Sequence, residues 1–148
     1  MRIGFTGSRH GMTVSQAARL RRLLIEHQPN EFHHGQCIGA DVEAHAIALE
    51  LQLPRIIVHP PTDPTLLATP LLTSESTMIE YLPPAHPLKR NKAIVRAIDL
   101  LIAAPATAEE EIRSGTWHTV RFARRHGRVR VVVLPPRQPE SQESQPRA

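Results

Sequence analysis

Only one cysteine, Cys37, occurs in the 148 residues, so no disulfide can form within the chain, and a reducing, cytoplasmic setting is expected. No apolar run approaches the roughly 20 residues that a bilayer-spanning helix needs. The opening Met1-Arg2-Ile3-Gly4-Phe5-Thr6 reaches a glycine before the apolar core of a signal peptide could develop. No membrane partner is therefore expected. Aromatic side chains are scarce: three phenylalanines, one tryptophan and one tyrosine. Single-strand nucleic-acid binding by base stacking needs a richer supply, which ranks nucleic acid behind small molecules as a partner. Wholesale disorder is excluded as well, because 41% of the residues are hydrophobic and only 22% are charged. A chain of this length suits one domain that buries roughly 68–70% of its unfolded surface.

Short β-branched runs alternate with helical patterns, the order expected of βαβ units around a parallel sheet. Strands are predicted at Ile3–Thr6, Glu31–His34, Arg55–His59, Leu100–Ala103 and Val129–Leu134. Helices are predicted at Thr13–His27, Ala40–Leu51, Leu88–Ile98 and Ser114–Arg125. The first helix carries Val14, Ala17, Leu20 and Leu24 on one face, and Thr13 and Gln16 stand at capping-box spacing. Seven prolines between Pro60 and Pro87 argue for a long loop there, with a strand at Thr77–Leu82 inside it. The expected fold class is α/β, a Rossmann-like three-layer sandwich with a mostly parallel sheet, over residues 1–135. Residues 136–148, rich in Pro, Gln, Ser and charge, are expected to form a disordered tail. No internal repeat is visible.

In an open α/β sheet, ligands bind beyond the carboxyl ends of the strands, and three such ends carry chemistry here. After the first strand, Gly7 and Gly11 let backbone amides approach an anion, Ser8 can donate a hydrogen bond, and Arg9 can grip a phosphate. The third glycine of a dinucleotide fingerprint and the Lys-Ser/Thr of a P-loop are both missing. After the second strand, Gly35 and Gly39 flank Cys37. Asp41 and His45 stand four apart at a helix start, where both can face one side. Asp41 there is either a ligand or catalytic carboxylate or a helix cap. Beyond the fifth strand, Ser114, Gly115 and Thr116 place hydroxyls and free amides at a helix N-terminus, a ready anion site.

Three further features have bland alternatives. Cys37 beside a helix start would have a lowered pKa, yet a lone cysteine also packs as a small hydrophobe. His33, His34 and His45 match no zinc spacing, so no metal is assigned. Arg121, Arg124, Arg125, Arg128 and Arg130 cluster with His118 and His126 just after Glu109, Glu110 and Glu111. Such a run meets phosphates or forms a solvated helix face. Trp117 is expected in the core.

Gly7-Ser8-Arg9, Gly39-Ala40-Asp41-Val42-Glu43-Ala44-His45, Lys89-Arg90-Asn91-Lys92-Ala93-Ile94 and Ser114-Gly115-Thr116-Trp117, in that order, resemble the successive motifs of the SLOG superfamily. The resemblance spans roughly residues 1–135 and is strongest to the Rossmann domain of the DNA-processing protein A branch and its small stand-alone relatives. It implies a Rossmann-like sheet, a homo-oligomer, and a ligand over the glycine loops lined by Gly7, Ser8, Arg9, Asp41, Arg90, Asn91, Gly115 and Thr116. The superfamily also includes the Lonely-guy phosphoribohydrolases. Those carry glutamates just after the turn that corresponds to Arg113–Thr116, where this chain has Trp117, His118 and Thr119.

The leading reading is a module that binds a nucleotide or nucleotide-derived ligand as a sensor or sequestering protein, with no cofactor assigned. One alternative is an N-glycosidic hydrolase that uses Asp41 or Glu110. The other is a single-stranded DNA binder similar to the DNA-processing protein A core.

Overall fold

The computed structural model describes residues 1–137; the tail expected from residue 136 onward lies outside them but for its first two residues. Six strands and four helices follow one another along the chain, alternating except between the third and fourth strands. In order they are β1 (Arg2–Gly7), α1 (Val14–His27), β2 (Glu31–His34), α2 (Ala40–Glu50), β3 (Arg55–Val58), β4 (Met78–Tyr81), α3 (Pro87–Ala97), β5 (Leu100–Ala104), α4 (Gly115–His126) and β6 (Arg130–Val133). The sheet order is β4-β3-β2-β1-β5-β6, and every neighbouring pair is parallel. The expected sandwich is therefore present, but its sheet is wholly rather than mostly parallel. A parallel pair needs a crossover of a dozen or more residues. The proline-rich segment after β3 supplies one without a helix.

Alternation along the strands sorts the core into two faces. Ile3 and Phe5 of β1, with Leu100, Ile102 and Ala104 of β5, pack against Leu20 and Leu24 of α1 and Ala44, Ile47 and Ala48 of α2. On the opposite face Leu101 meets Ile94, Val95 and Ala123 from α3 and α4, while Ala103 meets Trp117 and Val120. Gly4 makes this second face possible, since a Cβ there would run into the Ile98 and Ile94 side chains of the helix side. Trp117 is thus core, as its helical position suggests.

The helix ends follow from local chemistry. Thr13 caps α1 in a reciprocal capping box, accepting from the Gln16 amide at 3.1 Å while the Gln16 side chain accepts from the Thr13 amide at 3.0 Å. Gln16, itself buried, also donates to the carbonyls of Pro105 (2.8 Å) and Leu134 (2.9 Å). Ser114 lies just outside α4 as its cap, and Pro87 occupies the first turn of α3, where a missing amide proton costs nothing. Helix α2 starts at Gly39, with φ near 93° and no side-chain cap. Asp41 is therefore not a helix cap.

Gly39 is the residue most tightly held to glycine. A Cβ there would collide with the Arg9 carbonyl group, in a backbone region other residues avoid. Gly127, at the end of α4, also has positive φ (73°), yet faces open space. Gly127→Ala should cost about 1–2 kcal/mol, the strain of a left-handed residue with a Cβ. Gly39→Ala should cost clearly more. Urea denaturation of the two variants reads the difference, and equal costs would refute the close approach of α2 to the first loop.

Candidate functional site

The order of strands reverses at β1: the chain first builds outward through β2, β3 and β4, then returns to lay β5 on the other side of β1. The loops after β1 and β5 consequently diverge, and open α/β sheets hold ligands in the crevice this leaves. Here the crevice is a cleft of about 520 Å³. Gly7, Ser8, Arg9, Gly35, Asp41, Arg90, Asn91, Ser114, Gly115 and Thr116, all expected on sequence grounds, line it. Gly39 and Glu110 do not. Gly39 lies behind the first loop, and Glu110 turns away to pair with Arg124 at 2.9 Å and Arg121 at 3.9 Å.

The first loop is stitched to its surroundings through buried Ser8. The Ser8 amide donates to Ala104 O (3.0 Å), and its carbonyl accepts from Gly11 (3.1 Å) and Ala40 (2.9 Å). Its Oγ accepts from the His10 amide (3.1 Å), which leaves the hydroxyl proton to donate. Arg9 is exposed at the cleft. Across from this loop, Ser114 Oγ takes the Trp117 amide at 3.2 Å. The first amides of a helix have no partner within it, so Gly115 and Thr116 present theirs to the cleft with the positive end of the α4 dipole. A Cβ at Gly115 would meet nothing within 4 Å, so the approach is open.

The resemblance implies that Arg90 lines the ligand pocket, and in the structure it lines the cleft while its guanidinium serves the architecture. Its guanidinium is buried and donates to Gly35 O (2.6 Å), His59 O (3.1 Å), Asn91 Oδ1 (2.8 Å) and Cys37 Sγ (3.4 Å). It braces the carboxyl ends of β2 and β3 against α3. Glycine is required at 35 because a Cβ would run into that guanidinium and lie 3.1 Å from Asp41 Oδ2. Asp41, buried in the first turn of α2, accepts the Cys37 amide on Oδ2 at 3.0 Å. Burial pushes its carboxyl up to about 6 despite the opposing pull of Arg90. The Cys37 thiol moves up too, first through burial and then through the Asp41 carboxylate. Of the two readings of Cys37, this favours the packed thiol over the nucleophile: the loss of water and the nearby carboxylate outweigh the helix start.

Asp41 and His45, four apart and able to face one side, bond to different partners. His45 packs edge-on against His34, with ring centroids 5.0 Å apart, in a buried chain the sequence did not reveal. The Gln36 amide donates to His34 Nδ1 (3.0 Å), His34 Nε2 donates to His45 Nδ1 (2.9 Å), and His45 Nε2 donates to Leu72 O (2.8 Å). This order of donors follows from the two fixed ends, an amide and a carbonyl. A second chain runs from His59 through His33 Nδ1 (2.8 Å) to Glu31 Oε1 (2.9 Å). No sequence signal beyond the His33-His34 adjacency points to either. Among the described residues no group of His, Cys, Asp and Glu gathers in a way that could hold a metal ion. Part of the basic cluster is engaged in bracing: Arg121 donates to the Glu111 and Ile112 carbonyls, Arg124 to Glu110, and Arg128 to Arg96 O.

No protein-family model and no curated protein sequence matches the chain. Solved structures share the fold. The molybdenum cofactor binding protein of Rippkaea orientalis aligns with TM-score 0.63 and 20% identity over 89% of this chain and 74% of that one. DNA processing protein A of Streptococcus pneumoniae aligns with TM-score 0.63 and 21% identity over 89% of this chain. The chain spans 49% of that protein's length. The Moco carrier protein of Chlamydomonas reinhardtii gives TM-score 0.60 and 20% identity over 96% of this chain and 80% of that one. The Rossmann-like fold implied by the SLOG resemblance is the fold these structures share. No helix among the described residues is long and apolar enough to cross a membrane.

The histidine chains predict a pH dependence of stability. His33, His34, His45 and His59 all titrate below the ordinary 6.5, burial being the leading cause, and His59 falls to about 3. The unfolded chain therefore takes up protons that the folded one refuses. Stability is fully present above pH 6.5 and is lost as pH falls through that window. Asp41 acts in the opposite sense between 3.8 and about 6, but as one group against four. Each neutral histidine contributes a slope of at most about 1.4 kcal/mol per pH unit. Urea midpoints at about pH 7.5 and about pH 5 should differ, with the lower midpoint at the acid end. Equal midpoints would show that the histidines are not held neutral.

Proposed function

We propose that the cleft binds a nucleotide or nucleotide-derived ligand, its phosphate seated on the amides of Gly115 and Thr116 with Arg9 closing over it, and that the protein senses or sequesters this ligand. The observation carrying this reading is the pair of unpaired helix-terminal amides opening into a cleft at the reversal point of a parallel sheet. A volume of about 520 Å³ suits a small-molecule ligand, since such sites span roughly 300–1,000 Å³. The proteins sharing the fold lend support, being described as binding a molybdenum cofactor or, in the Helicobacter pylori DNA processing protein A, single-stranded DNA. The homo-oligomer and the cytoplasmic setting belong to the same proposal. Light scattering of the purified protein reads the oligomeric state.

Binding without turnover is favoured over hydrolysis. Glu110 is withdrawn into ion pairs with Arg124 and Arg121, and the positions after Thr116 carry Trp117 and His118. Among the described residues Glu111 is the one glutamate lining the cleft. A single-strand groove is disfavoured by the aromatics: Phe5, Phe32 and Trp117 are buried in the core, half-buried Phe122 on α4 is already taken by His126, Lys92 and Arg96, and exposed Tyr81 lies on β4, at the far edge of the sheet.

Mono-, di- and cyclic nucleotides and ADP-ribose should be screened by thermal shift. A ligand at about 100 times its dissociation constant should add about 2.7 kcal/mol of stability. Arg9→Ala should weaken the best binder by roughly 1.5–3 kcal/mol, the worth of a charged hydrogen bond, while Arg125→Gln on the exposed face of α4 leaves it unchanged. No stabilisation by any of the panel at millimolar concentration would overturn the assignment. Chromatography of the incubated nucleotides should show no released base.

A further inference from the structure

Among the described cleft-lining residues, Asp41 alone has a buried side-chain oxygen or nitrogen without a partner. The atom is Oδ1, on a side chain whose residue is 6% exposed. Its sister oxygen accepts the Cys37 amide; the Gly35 amide also draws on the carboxyl but closes no hydrogen bond on Oδ1. Arg90 is the nearest cation in the brace, but its protons go to Gly35 O, His59 O, Asn91 Oδ1 and Cys37 Sγ, and it forms no ion pair with Asp41. The remaining charged or titratable groups at the cleft are Arg9 and His10 from the first loop, the Cys37 thiol, and Glu111 and Arg113 before α4. The cleft therefore has two chemical ends. The α4 end offers donors without acceptors, and the Asp41 end offers an acceptor without a donor.

We propose that Asp41 Oδ1 reads the non-anionic part of the ligand, accepting a hydrogen bond from an N–H or O–H there, so that the site takes a nucleoside phosphate in preference to a bare phosphate or pyrophosphate. This rests on the reading of the α4 terminus as the phosphate seat. An ionised carboxylate is acceptor-only and repels phosphate oxygens, so the two ends orient the ligand as well as select it. A ligand lacking the donor leaves Oδ1 buried and unpaired, and sites built this way discriminate strongly against such analogues. The donor belongs either to the base or to the sugar.

Isothermal titration of the wild type, Asp41→Asn and Arg9→Ala with AMP, GMP, ribose 5-phosphate and pyrophosphate tests this. In Asp41→Asn the amide oxygen can still accept from Cys37, while an NH2 group replaces Oδ1. The wild type should prefer the nucleotides to pyrophosphate by roughly tenfold or more. Asp41→Asn should remove that preference and leave pyrophosphate affinity intact, whereas Arg9→Ala should weaken every ligand. If ribose 5-phosphate shares the sensitivity to Asp41→Asn, the donor is a sugar hydroxyl; if only the nucleotides do, it is a base N–H. The wild-type-minus-Asn difference should also shrink as pH falls below about 6, where Asp41 protonates; the subtraction removes the ligand phosphate's own protonation. Asp41→Ser, which removes both carboxylate oxygens, gives the same comparison if the Asn variant does not fold. Equal loss for nucleotide and pyrophosphate, or no loss for either, overturns the role of Asp41 while the Arg9 result leaves the phosphate seat standing. Absence of binding by every ligand to the wild type overturns the seat and the Asp41 proposal together.

Discussion

Uniform strand direction is the constraint from which the rest of this molecule follows. With every pair in the sheet parallel, every β-to-α loop emerges at the same edge. The helices must then return across the faces, α1 and α2 on one side and α3 and α4 on the other. Because β5 is laid beside β1 rather than beyond β4, two of these loops part instead of closing on each other. The cleft is thus a product of winding, before any polar side chain is considered. The polar side chains decide what the cleft is chemically.

Burying charge beside the cleft carries an energetic penalty, which this protein meets through hydrogen bonds to backbone carbonyls in place of an ion pair. Arg90 is satisfied by Gly35 and His59 oxygens, Asn91 and Cys37, so its positive charge is spent on architecture. Asp41 keeps its own charge only against the loss of water. Two opposite charges are thereby held near one glycine without cancelling. Such an arrangement fixes the ends of β2 and β3 firmly while leaving the carboxylate free on one side.

Much of the fold was legible because its signals are local. The Thr13–Gln16 spacing foretold the cap of α1, Ser114 marked the start of α4, and the apolar run at Leu100–Ala103 marked a central strand that extends one residue further to Ala104. What escaped notice depends on contacts between distant segments. Gln16 looks like a capping residue and also ties α1 to the ends of β5 and β6. The bracing role of Arg90 was hidden because a sequence does not show that the carbonyls of Gly35 and His59 will converge on it. The histidine chains join residues up to 27 positions apart, and no periodicity signals such pairing. The loops named from the sequence line the cleft, while nothing in the acidic triplet says that Arg124 will claim Glu110.

The same parallel winding fixes where the chain enters and leaves the sheet. The α-amino group of Met1 is bonded to Asn30 Oδ1 at 2.7 Å, at the edge opposite the loops, and Leu134 follows β6 at the loop edge, held there by Gln16. A six-residue strand such as β1 is about 20 Å long. A dye or affinity handle on the amino terminus thus sits a full sheet height from the cleft. A label placed just after Leu134 sits at the rim, on the same edge as the ligand loops, where it can report on them or obstruct them. For anyone building a biosensor or an immobilised form of this protein, the two ends of the domain are not equivalent attachment points.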